Sequence, residues 1–238
     1  MQKQQEKECF EQVKKLAKDK NDTRLLPFLN KATANPESSL FPDFLFDDGF
    51  IEHFQVSAAN ENKKGSKHNI AVNDFERESK TTFEQERNEI LQSPPRKNPV
   101  IGTYDLKVTK HEMVCPEYNY ESFVKSFKRN FDKHILSLQK YKGDKSIGIF
   151  LIELVGANIT IMRNNCFRAF YRLAVDQELL TYINQYAEYL KFIIFASADR
   201  YELLELSEIP KLLHNIPQGL TFGVGRFINE KLSLFIDI

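Results

Sequence analysis

The sequence predicts an α/β protein: a mixed central β-sheet flanked by helices, with a helical insertion. Three observations carry this. Short apolar, β-branched runs at 147–155 and 191–197 have the length and composition of buried strands. Between them, Tyr120, Phe123, Val124, Phe127, Phe131, Ile135 and Leu138 recur at helical spacing. Upstream, residues 42–57 read as two strands of a hairpin around Asp48-Gly49, a dipeptide that favours tight turns.

Taken in order, residues 3–20 form a helix with Phe10, Val13, Leu16 and Ala17 on one face. A short helix covers 24–32, where Pro27 is tolerated in the first turn. The hairpin follows. Ala58 to Asn69 is polar and locally basic, and reads as a loop. Residues 70–92 form a charged helix with sparse apolar positions at Phe75, Phe83 and Ile90. Ser93-Pro94-Pro95 breaks it, and 100–114 reads as a strand. Helix 120–141 stops before Gly143. The strand at 147–155 has a short partner at 159–162. Asp176 caps a helix reaching about 190. A strand at 191–197 and a short helix at 207–215 follow. Residues 221–227 and 231–238 form a closing hairpin. The whole reads as a single α/β domain, 1–238, with 59–99 as an insertion.

Composition excludes several classes. Lys+Arg and Asp+Glu both total 33, so no global field attracts nucleic acid, and any such binding needs a local patch. Twenty Phe and no Trp predict a phenylalanine-rich core. Cys9, Cys115 and Cys166 form no CxxC pair, which argues against a zinc knot and against any disulfide partner. The five His are scattered without an HExxH or HxH pair. The longest apolar run, 147–155, is far too short to span a membrane, and the polar first residues carry no apolar leader. A reducing, cytoplasmic setting is the expectation.

The hairpin carries the chemistry. Asp43, Glu52, His53 and Gln55 interrupt otherwise apolar strands. Carboxylates on adjacent, half-buried strands cost desolvation energy unless a cation compensates. Register decides which groups meet. A two-residue turn at Asp48-Gly49 pairs Asp43 with Phe54 and puts Asp43 and Glu52 on one face. A three-residue turn pairs Asp43 with His53 and groups Asp43, His53 and Gln55. The alternation of Phe50, Glu52, Phe54 and Val56 as one mostly apolar face favours the second.

A helix followed by a hairpin with Pro42-Asp43 on one strand and an acid on the next resembles the PD-(D/E)xK nuclease superfamily. The resemblance covers about residues 3–57, with 120–155 as a continuation, and it implies a restriction-endonuclease-like core. It implies Mg²⁺-dependent cleavage of nucleic-acid phosphodiesters, in a setting of bacterial defence or restriction. It implies Asp43 as the first metal-binding acid, with Glu52 or Gln55 as the second metal position. The chain departs from the pattern at the lysine: Phe54 stands two residues after Glu52, and Ser57 two after Gln55. Lys63 or Lys64 of the basic loop is then the candidate for that role.

For a DNA or RNA backbone the candidate contacts are Lys67 and the helix residues Lys125, Lys128 and Arg129. Gln185 and Tyr189 match a QxxxY pattern found in some exonucleases of that superfamily. The missing lysine and balanced charge also fit a second class: a non-catalytic α/β subunit held by a protein partner.

Overall fold

The structure, a computed structural model, describes residues 2–37, 40–59, 66–92, 102–113, 118–163, 167–197 and 199–236. Where the sequence predicts one domain with an insertion at 59–99, the chain has two compact units. One comprises 1–59 and 118–224, the other 60–117 and 225–238.

The first unit contains helices α1 (Gln2–Asp19) and α2 (Leu26–Lys31), then strands β1 (Thr33–Ala34), β2 (Phe44–Phe46) and β3 (Gly49–Ser57). In the second unit lie α3 (Ser66–Gln92) and β4 (Gly102–Met113). The first unit resumes with α4 (Tyr120–Lys140), β5 (Ile147–Val155), β6 (Asn158–Arg163), β7 (Phe167–Phe170), α5 (Gln177–Ile183), β8 (Phe192–Ser197), β9 (Arg200–Glu205) and α6 (Ile209–His214). Strand β10 (Leu220–Ile236) begins there, and its later residues belong to the second unit. There Arg226–Ile236 pairs antiparallel with β4. Among the described residues no helix is long and apolar enough to cross a membrane.

A six-stranded mixed sheet, ordered β1-β2-β3-β5-β8-β9, organises the first unit. β3, β5 and β8 run parallel and the outer strands antiparallel. Parallel strands covered on both faces must be apolar on both, and β5 and β8 are buried almost throughout. On one face Ile51, Ile149, Leu151 and Ile194 pack with Cys9, Phe10, Val13 and Ala17 of α1. On the other, Phe54 and Phe150 meet Phe131 of α4 edge to face, at centroid distances of 6.3 and 5.2 Å. Each fully buried Phe contributes about 1.5–3 kcal/mol by burial alone. The predicted phenylalanine-rich core is thus largely the seam between α4 and the sheet.

Local signals explain most boundaries. The Asn119 side chain caps α4 by accepting from the Ser122 N–H at 2.7 Å. α4 ends at Lys140, with Tyr141 as its C-cap. The Asp176 carboxylate caps α5 through the Leu179 N–H at 3.0 Å. α5 stops at Ile183, and a 3₁₀ turn over Asn184–Tyr186 replaces the longer helix that the sequence predicts.

Three expectations need correction. Phe46 pairs with Gly49, so the hairpin turn is Asp47-Asp48 and neither predicted register holds. Gly49 serves close approach rather than a left-handed turn: among the described residues positive φ occurs at Asn21, Gly156 and Gly219. A Cβ on Gly49 would lie 2.0 Å from the Ile147 carbonyl oxygen, where β5 begins beside β3. The predicted closing hairpin is instead one strand, β10, which absorbs a register shift between Phe227 and Ile228 and keeps pairing with β4. β9, paired antiparallel with β8, was not expected, because Arg200, Glu202 and Glu205 mask its alternation.

Candidate active site

The β2–β3 ladder ends at the pair Phe44 and Ile51. One step further, Asp43 and Glu52 stand opposite each other, and their side chains take over from the ladder. The Asp43 N–H donates to Glu52 Oε2 at 3.1 Å. Asp43 Oδ2 accepts from the His53 N–H at 2.8 Å. Each carboxyl therefore clamps the opposite strand.

Glu52 faces α4 and is 6% exposed. Its Oε1 lies 2.6 Å from His134 Nδ1. The His134 ring stacks on Phe54, with centroids 4.4 Å apart and planes 12° from parallel. Burial pushes the Glu52 carboxyl up to about 8 and the His134 imidazole down to about 4. Both shifts favour the uncharged partners, so the pair shares one proton between Oε1 and Nδ1. Asp43 is half-buried. Burial, and then the charge of Glu52, push its carboxyl up to about 6.

Alternation sends the next residues to the other face of β3. There the His53 Nε2 lies 3.1 Å from Glu153 Oε2. The Gln55 Nε2 donates to the same oxygen at 2.9 Å. Burial raises the Glu153 carboxyl, but the bonds from His53 and Gln55 outweigh it and hold the group below its ordinary range. Cys9 of α1 completes the group. Its Sγ, a His53 ring nitrogen and a Glu153 oxygen all lie within 4.8 Å of one another.

The structure therefore brings Asp43 and Glu52 together and separates Gln55 from them. The register favoured by the sequence, with Asp43, His53 and Gln55 on one face, is replaced by Asp43 and Glu52 beside His134. The physical reason is the close approach at Gly49, which starts β3 one residue early. Lys63 and Lys64 lie outside the described residues. Lys67 belongs to α3 of the second unit. Lys125 Nζ pairs with Glu121 at 2.7 Å, and Lys128 Nζ with Glu178 at 2.8 Å. Lys128 also sits over the Tyr182 ring at 5.6 Å. Arg129 is exposed on α4.

Gln185 of the QxxxY pattern lines a different feature: an open cavity of about 790 Å³ with Tyr120, Lys128, Asp176 and Tyr182 on its wall. Neither hairpin acid lines it. The hairpin carries the stronger case for a cation, because there two carboxyls lie in contact, whereas the buried Asp176 carboxyl on the cavity wall is already met by the Tyr120 and Tyr171 hydroxyls and the Leu179 N–H.

Sequence reasoning missed His134, Glu153 and Cys9. Only Glu153 left a signal: a carboxylate inside an otherwise apolar strand needs a partner. Comparison with known proteins finds no matching family model, no similar curated protein and no similar solved structure.

Proposed function

We propose that the protein is a metal-dependent nucleic-acid phosphodiesterase of endonuclease type, with Asp43 and Glu52 as the metal-binding acids. The observation that carries this reading is the contact between those two acids, both pushed up by burial, at the end of the hairpin. Two carboxyls in contact, one buried and one half-buried, repel once ionised, and a cation between them removes that cost.

The donor set fits Mg²⁺ in part. Asp43 and Glu52 offer hard oxygen ligands, and magnesium ordinarily takes one or two carboxylates and keeps several waters. Gln55 does not fit, because it faces Glu153. The chemistry that Mg²⁺ supplies when bound is neutralisation of phosphate charge and a lowered pKa for bound water. His134 Nδ1 is positioned to hold the proton that Glu52 gives up on ionising. The His53 N–H fixes the Asp43 carboxylate against the strand. A role in bacterial defence or restriction rests on the family resemblance alone.

The test is cleavage of plasmid DNA and of single-stranded DNA and RNA with Mg²⁺ or Mn²⁺. Metal-dependent nicking that disappears in folded Asp43→Ala is the expected result. Equal cleavage by the two proteins would sink the assignment.

One observation favours a second reading, a non-catalytic subunit of a protein complex. Lys125 and Lys128 are already paired with carboxylates, and Phe54 stands where the motif would place lysine. Co-purification with a larger partner, without cleavage by the isolated chain, would favour it.

A further inference from the structure

On the α1 side of β3, away from Asp43 and Glu52, three side chains from three elements converge. Cys9 comes from α1, His53 from β3 and Glu153 from β5. Cys9 and His53 are 4% and 6% exposed, while the Glu153 side chain retains 24%. The group is therefore closed on the helix side and open at the carboxylate.

We propose that Cys9 Sγ, a His53 ring nitrogen and a Glu153 carboxylate oxygen form a site for one zinc-class divalent transition metal. Thiolate, imidazole and carboxylate are the three donor types that zinc takes, whereas a thiolate is a poor ligand for magnesium. In a tetrahedral zinc site, ligand atoms stand about 3.3–3.7 Å apart. The present spread, up to 4.8 Å, needs only a small closure of side chains. Gln55 acts as a positioning residue, since its amide holds Glu153 Oε2 at 2.9 Å. Three protein ligands leave the fourth position to water.

A nucleophilic thiol is the competing use of the same trio, and the surroundings argue against it. Reactive cysteines sit where the thiolate is favoured. Here burial and the charge of Glu153 both push the Cys9 thiol up. A cation at the centre reverses that balance. On binding, the Cys9 S–H bond breaks, a sulfur–metal bond forms, and the proton passes to solvent.

The experiment titrates Co²⁺, then Zn²⁺, into the metal-free full-length chain. The expected result is one equivalent bound, a near-ultraviolet thiolate-to-cobalt charge-transfer band that Zn²⁺ abolishes, and release of one proton at neutral pH. Cys9→Ser should lose the band, and Glu153→Gln should weaken binding by more than the 10–100-fold typical of an outer-shell loss. Gln55→Ala should weaken it within that 10–100-fold range. A Cys115→Ser, Cys166→Ser double variant should keep the band, and so should Asp43→Ala. Should Cys9→Ser fail to fold, Glu153→Gln decides. No band in the folded wild type would overturn the proposal, as would a band that survives Cys9→Ser, or undiminished affinity in Glu153→Gln.

Discussion

Asp43 and Glu52 hold the open end of the hairpin reciprocally: the Asp43 N–H donates to Glu52 Oε2, and Asp43 Oδ2 accepts from the N–H of His53, the neighbour of Glu52. Two ionisable groups here do the work of ladder hydrogen bonds. A neutral isostere should serve that structural purpose equally well.

Glu52→Gln should therefore leave stability unchanged within about 1 kcal/mol. The glutamine oxygen can accept from Asp43 and its amide can donate to His134 Nδ1, while the desolvation of a carboxylate disappears. Thermal melts of metal-free protein check this. A large loss of stability would mean that Glu52 is held as a charge.

Gly49→Ala should be severely destabilising, by about 3 kcal/mol or more, because the added Cβ would overlap the Ile147 carbonyl rather than a movable side chain. Denaturant unfolding measures it. Mild behaviour would show that β5 can shift relative to β3.

Asp176 accepts from the Tyr120 hydroxyl at 2.8 Å, the Tyr171 hydroxyl at 2.6 Å and the Leu179 N–H at 3.0 Å. Asp176→Ala removes a helix cap and strips two tyrosines of their acceptor. The expected loss is about 3 kcal/mol in urea unfolding.

The same residue gives a pH signature. Burial raises the Asp176 carboxyl above its ordinary 3.8 despite those donors, and the nearby Glu178 adds to the rise. The folded protein thus keeps this proton at pH values where the unfolded chain has lost it. The resulting stability is complete below about pH 3.8 and is lost as pH rises through the folded value. Wild type should lose stability relative to Asp176→Asn as pH rises above about 3.8. A flat difference, or one of opposite sign, would contradict the shift.

Lys125→Ala should change stability by less than about 0.5 kcal/mol, since both partners of its pair with Glu121 are largely exposed. If α4 meets a nucleic-acid backbone, the same substitution should lower the salt slope of binding by about one. An unchanged slope would remove α4 from the interface.

What was legible in the sequence is what local pattern encodes. α4 announced itself through seven apolar positions at helical spacing, and β5 and β8 through unbroken β-branched runs. Asp176 was readable as a cap because its partner lies three residues away. His134 and Glu52 are 82 positions apart, and His53 and Glu153 are 100, so no spacing rule could join them. The hairpin register turned on Gly49, whose role depends on β5, nearly a hundred residues downstream. The acids were visible in the chain, but which face each one took was decided by a strand still to come.

The most direct test of the central claim is calorimetric titration of Mg²⁺, for which a thiolate is a poor ligand, into wild type, Asp43→Ala and Glu52→Gln. Metal binding by the wild type that both substitutions abolish, in proteins that remain folded, is the predicted result. Binding of equal strength in all three would contradict an acidic metal site at the hairpin.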